Sequence, residues 1–415
     1  MSWQPPARKE WVAHFNALGS NLADGGRSIV PLDADRMLEE ARRATGLEDF
    51  GDDWFLEPYR VLVESFDREA KLTLIGRVMA RAEIARVLEG RLRIEDTLKR
   101  HPEIEAQPVA PVHVVTGLGR SGTSVLHELF TLDPDNRVPM LWEMMYPVPP
   151  PEAGSFESDA RIGRADLEIR IMDEIVPAMR TMHELAGDLP NECIFLLAHA
   201  LATDMWEGRF HIPSYALWMA SHDLRPAYAY HKRQLQLLQS RHPKPRWVLK
   251  GPSHLARLPV LFDVYPEARV VITHRDPLKV IASFANLVSS LKFMGSDEAD
   301  YEAQLQQFAF GYGYLCQHIT DERKAGKLPE GQIVDLRYAD LMADPVAAMR
   351  GVYERWQLPF SDALAERIRS HLAARPKDRH GAHDYAFADT GLDLETERRR
   401  YADYQDYFGV PSEVI

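Results

Sequence analysis

Across 415 residues the chain carries 62 acidic and 49 basic side chains, a formal net charge of −13 that speaks against nucleic acid as the main partner while allowing a local basic pocket for one nucleotide. Its 45% hydrophobic and 27% charged content is that of an ordinary globular protein long enough to bury a large core. Two cysteines, Cys193 and Cys316, exclude a disulfide framework and a cysteine-based metal site; with neither a secretory signal nor the roughly 18 apolar residues of a membrane span, a cytoplasmic, metal-free protein is expected.

Residues 1–110 read as a helical lead-in, expected to pack on the domain that follows and to shape the entrance to its site. Asp33 and Gly46 bracket a helix through Met37, Leu38, Ala41 and Ala44. A longer helix is expected from Arg68 to about Leu98, its Leu, Ile, Val and Met residues recurring at core spacing. Pro102, Pro108 and Pro111 then punctuate the approach to the next element.

From Pro111 to Phe130 the pattern is strand, glycine-rich loop, helix. Val112 to Val115 form a β-branched run, Gly117 to Gly122 supply permissive backbone, and Val125, Leu126, Leu129 and Phe130 recur at helical spacing. Such a loop offers backbone N–H groups and a helix N-terminus to an anion. Gly117 and Gly122 have the spacing of the nucleotide-triphosphate P-loop, but Thr123 stands where that motif has its lysine. This argues against ATP or GTP hydrolysis, while Arg120, Ser121, Thr123 and Ser124 still provide a cation and hydroxyls for a phosphate.

The run Gly119-Arg120-Ser121-Gly122-Thr123-Ser124 resembles the 5′-phosphosulfate loop of the sulfotransferases, which use 3′-phosphoadenosine 5′-phosphosulfate (PAPS) as donor. The resemblance implies an α/β fold, a P-loop-like three-layer sandwich with a central parallel sheet. Residues 111–415 would carry it, with a helical insertion at about 155–242 and the lead-in as N-terminal helices. It also implies sulfuryl transfer to a hydroxyl or amine, with no metal. In the branch that modifies protein tyrosines a carboxylate downstream of the loop arginine is the catalytic base, and Glu143 falls in the matching place. The competing role for Glu143 is that of a surface residue beside a packed Trp142.

Residues from about Asp159 to Arg241 read as largely helical, including Arg164 to Met182 and Asp188 to Thr203. Phe195, Met205, Trp206, Phe210, Tyr215, Trp218 and Met219 make this segment a candidate acceptor wall or, equally, a plain aromatic core. His183, Glu192, His199 and His211 are polar candidates here, and no sequence signal selects among them.

Trp247 to Leu249 read as a second strand ending in Lys250 and a Gly251-Pro252 turn. Ligands of open α/β sheets sit beyond the carboxyl ends of strands, so Lys250 and His254 are expected beside the Arg120 loop. The pair resembles the Lys-Thr-His of cytosolic sulfotransferases with two residues inserted, which implies a sulfuryl-contacting lysine and a histidine base. Val270 to Thr273 form a third strand, and Asp276-Pro277 a helix start. Here Arg275 and Ser283 match the family's 3′-phosphate site, where an arginine fork grips phosphate. Ile333 to Leu341 give a further strand and helix start, Asp344-Pro345 opens another helix, and residues 363–374 form one more. Arg379, His380 and Gly381 resemble a late loop closing over the cofactor.

Two other classes fit the same loop. A P-loop kinase of a small metabolite is disfavoured by the missing lysine and by the Arg275 and Ser283 pair; a non-catalytic nucleotide-binding relative is disfavoured by Lys250, His254 and Glu143. The expected partner is a small-molecule, glycan or lipid acceptor, partly apolar.

Overall fold

The computed structural model describes residues 3–182, 184–374 and 387–414. Arg379, His380 and Gly381, and also His183, lie outside the described residues. Five strands, β1 (Val112–Gly117), β2 (Asn136–Arg137), β3 (Arg246–Lys250), β4 (Arg269–His274) and β5 (Ile333–Arg337), form one parallel sheet in the order β2-β3-β1-β4-β5. Sequential strands on one sheet edge would need no helices between them; parallel pairing does, and the β-branched runs buried on both faces are what that architecture demands.

Alternation along β1 separates the layers. Val114 packs into the larger core with Leu249, Val270 and Ile272, whereas Val115 faces the opposite core with Leu126, Phe130, Tyr353 and Trp356. The larger core also takes in Leu38 and Leu88 of the lead-in and Leu196 and Leu235 of the inserted segment. The lead-in therefore shares its hydrophobic burial with the sheet.

Local signals set most boundaries. Asp33 accepts from Arg36 N–H to open helix Ala34–Thr45, and Gly46 closes it in the left-handed region at φ +70°. Asp276 and Asp344 open helices Pro277–Gly295 and Pro345–Arg355 in the same way. The long helix expected from Arg68 is the single helix Leu74–Arg100, which starts six residues later because the preceding helix Leu56–Arg68 ends there, Lys71 turns to φ +46° and the Thr73 hydroxyl caps the new helix by accepting from Gly76 N–H.

Between Asp188 and Thr203 only Ile194–Ala198 is helical. Pro190 instead bridges to Met140, and Cys193 N–H donates to Lys250 carbonyl at 2.8 Å, so the chain is laid across the end of β3. Helices Tyr301–Lys324 and Leu394–Phe408 have no forerunner in the sequence reading; Tyr401 Oη joins them by donating to Ala309 carbonyl at 2.6 Å. No helix among the described residues is long and apolar enough to cross a membrane.

Five buried imidazoles make the fold acid-sensitive. Burial pushes His113 and His254 down to about 4 and His127, His199 and His231 down to about 3. The unfolded chain, with ordinary histidines near ~6.5, binds these protons first, so their contribution is complete above that pH and is lost as pH falls toward the folded values, at about 1.4 kcal/mol per unit for each group. Urea midpoints measured at descending pH should therefore fall steeply below about 6.5; a flat profile down to about 4.5 contradicts neutral burial.

Candidate active site

The loop after β1 is shaped for close approach. Gly117 stands at φ +149°, and a Cβ there would meet Thr273 Oγ1 at 2.4 Å; Gly122 stands at φ +93° with the Tyr338 ring 2.8 Å from where its Cβ would be. Arg120 takes φ +65° without being glycine. Such strain persists only where the surroundings enforce it, as they do at ligand clamps. It turns the loop into a concave nest at the N-terminus of helix Thr123–Thr131.

Two strands hold that nest. The Ser121 hydroxyl is buried, donating to Leu118 carbonyl at 2.5 Å and lying 2.7 Å from Thr273 Oγ1, so it fastens the loop to β4 and does not line the cavity. Arg275, just past the end of β4, donates from Nη1 to Arg120 carbonyl at 3.0 Å and rests over the Tyr338 ring at 3.9 Å. Arg120 Nε in turn donates to Ser283 Oγ at 3.3 Å. The loop after β1 and the end of β4, more than 150 residues apart in sequence, thus bring Arg120 and Arg275 into one cationic cluster.

The remaining donors of Arg275 are engaged by a residue with no sequence signal. Glu413, in the C-terminal segment, accepts from Nε at 2.9 Å and from Nη2 at 2.8 Å. That segment is itself tied down: Glu413 N–H and Val414 N–H donate to the buried Asp276, and Arg398 donates to Val414 carbonyl. A carboxylate therefore occupies the planar fork that suits a phosphate.

Gly117, Gly119, Arg120, Gly122, Thr123, Ser124, Arg275 and Tyr338 line one end of a cavity of about 1220 Å³. Its other end is a chamber walled by apolar side chains such as Met79, Met145, Met172, Phe195, Met205 and Leu287. Glu192 lines this cavity and stands near the junction: its Oε1 accepts from Lys250 Nζ at 2.7 Å, and the same ammonium donates to Ser124 Oγ at 3.2 Å. Lys250 lies buried behind these two side chains.

The two other acid-base candidates are not brought to the cavity. His254 is fully buried, its Nδ1 2.7 Å from Tyr228 Oη, and burial holds it neutral. It turns inward because Pro252–Arg257 is a tight 3-10 segment that presents Ser253, Ala256 and Arg257 to the cavity. Glu143 is fully buried in a two-pronged ion pair, accepting from Arg137 Nη1 at 2.8 Å and Nη2 at 2.5 Å and from Met140 N–H. It anchors the helix Leu141–Met145. Of the aromatic wall, Phe195, Met205 and Met219 reach the chamber, while Trp206 and Tyr215 are core. His199 is likewise buried and His211 lies elsewhere. Among the described residues no cluster of three or more His, Cys, Asp or Glu could hold a metal ion.

Known proteins share this fold. The profile of the Sulfotransferase family matches residues 111–362, more than half the chain. The crystal structure of sulfotransferase STF1 from Mycobacterium tuberculosis H37Rv superposes with a TM-score of 0.76 at 30% identity, covering 89% of this chain and 98% of that one. Sulfotransferase STF9 from Mycobacterium avium gives a TM-score of 0.81 at 26% identity, covering 92% and 98%. The omega-hydroxy-beta-dihydromenaquinone-9 sulfotransferase Stf3 of Mycobacterium bovis is 28% identical over 127 residues, 30% of this chain and 32% of the relative, so that match spans about a third of the curated protein. With the nest on β1, the arginine on β4 and a parallel sheet between, the chain belongs to the sulfotransferase family.

Proposed function

We propose that the protein moves a sulfuryl group from PAPS to a hydroxyl of an acceptor with a large apolar body. The observation that carries this is the single cavity in which a phosphate nest, a second cationic position and an apolar chamber meet at Glu192. Family membership supports the reaction class. The name of the relative Stf3, a sulfotransferase of a menaquinone derivative, supports an apolar acceptor.

The donor supplies an activated sulfuryl group and leaves as adenosine 3′,5′-bisphosphate. Arg120 and the N–H groups of the nest suit its 5′-phosphate, and Arg275 with Ser283 suits the 3′-phosphate once Glu413 yields the fork. In-line transfer of this kind depends mainly on positioning and on charge stabilisation, both of which a nest pinned to two strands provides. Glu192 is the carboxylate placed to take the acceptor proton. As it is neutralised, Lys250 loses its charged partner and its ammonium, still bonded to Ser124, becomes available to the sulfuryl oxygens. Products are the sulfate ester and adenosine 3′,5′-bisphosphate, with the proton left on Glu192.

Mass spectrometry of a long-chain alcohol incubated with enzyme and PAPS tests the reaction, and a sulfate ester is expected. Glu192→Gln should lower kcat by about 10²–10⁴ with little change in donor KM; wild-type turnover would remove Glu192 from the chemistry. Arg120→Ala and Arg275→Ala should each weaken adenosine 3′,5′-bisphosphate about 10–100-fold, the worth of a charge-assisted contact. Unchanged affinity in both variants contradicts the donor assignment. Glu413→Gln should tighten the same ligand and leave AMP unaffected; equal tightening of both, or of neither, shows that this carboxylate does not compete for the 3′-phosphate position.

A further inference from the structure

Of the charged side chains that line the cavity and that the reaction does not use, Glu83, Arg86, Glu168 and Arg209 stand together as two ion pairs. The helix Leu74–Arg100 turns Met79, Glu83 and Arg86 to the cavity, on one face at spacings of four and three. Glu168 comes from helix Ala160–Ile175, and Arg209 from the turn after Met205. Glu83 pairs with Arg209, and Arg86 Nε lies 3.3 Å from Glu168 Oε2.

We infer that these four residues form a recognition site for a second, uncharged polar group on the acceptor, a hydroxyl or carbonyl remote from the hydroxyl that is sulfated. The inference rests on the reading that this chamber takes the acceptor. Three observations carry it.

The first is unfilled hydrogen-bonding capacity. Glu83 Oε2, Arg86 Nε and Arg209 Nε are buried and make no hydrogen bond. Each buried polar atom left without a hydrogen bond costs about 1–3 kcal/mol, less where an ion-pair partner stands near as Glu168 does beside Arg86, so a ligand that satisfies them gains more than it would at a wet surface. The second is the balance of charge. Two carboxylates face two guanidinium groups, so an ion gains from one pair what it loses to the other, whereas a neutral hydroxyl donates to a carboxylate and a carbonyl accepts from a guanidinium.

The third is position. The Arg86 side chain is only 8% exposed, and Met79, Met145, Ile169 and Met172 line the same cavity. Ion pairs buried there are a poor source of stability compared with apolar packing, but a few convergent polar groups in an apolar pocket are how such pockets select a ligand. Partial burial also raises the Glu168 carboxyl above its ordinary value. A site built to bond an oxygen function discriminates strongly against the analogue that lacks it, because its own groups are then left unpaired.

The probes are plain dodecanol and the α,ω-dodecanediol, titrated calorimetrically into the full-length protein. On hydrophobicity alone the diol binds more weakly. The site predicts that it binds about tenfold more tightly, the worth of one satisfied buried bond. Glu83→Gln and the half-exposed Glu168→Gln should each abolish the preference, with thermal melting confirming that the variants fold. If the wild type binds the diol no better than the alcohol, or if both folded variants keep the preference, the inference is overturned. Turnover separates it from the reaction: selective diol binding with no sulfate ester from PAPS removes the sulfotransfer reading and leaves the site, whereas sulfation of both probes without preference does the reverse.

Discussion

The contact on which the site depends is the close approach of β1 and β4 at Gly117 and Thr273. These residues are paired in register, and the absence of a side chain at Gly117 lets the Thr273 hydroxyl stand against the strand end. That proximity lets Ser121 reach Thr273 and lets Arg275 reach the carbonyl of Arg120. The loop's left-handed Arg120 is then held from two sides, and its strain becomes a fixed curvature facing the cavity. The buried hydroxyl contact and the guanidinium contact together keep the nest's dipoles oriented before any ligand arrives, which is the condition for electrostatic stabilisation without reorganisation.

Charge is arranged around that contact in a chain. Glu413 holds Arg275, Arg275 holds the loop, Arg120 reaches Ser283, and on the far side Ser124 shares the ammonium of Lys250 with Glu192. A dianion entering the nest meets cations that already have anionic or dipolar partners. Its binding must rearrange those pairs, and this links occupancy of the nest to the C-terminal segment on one side and to Glu192 on the other.

What was legible in the sequence follows from how local each signal is. The Gly117 to Ser124 loop, Arg275 and Ser283 are encoded in short strand-loop-helix runs, and the structure brings them together. Glu143 and His254 have the right residue types near the right motifs, but their direction is decided by packing. Arg137 is buried and needs a carboxylate, and the 3-10 turn after Gly251 rotates His254 under the sheet end. Glu192 had no local signal because it sits in an irregular segment whose path is fixed by Cys193 bonding to β3. Glu413 is more than 130 residues from the arginine it holds, and only the tertiary fold connects them. The chamber is half legible: the apolar residues of the inserted segment and a contribution from the lead-in are evident in the sequence, but that Met79, Glu83 and Arg86 are the residues that face the cavity is decided by packing.

The central claim, that the nest and Arg275 form two separate phosphate positions for one nucleotide, is tested most directly by calorimetric titration of the protein with adenosine 3′,5′-bisphosphate against AMP, which lacks the 3′-phosphate. Tight binding of the first and weak binding of the second is the predicted result. Equal affinities, or binding of neither, would contradict it.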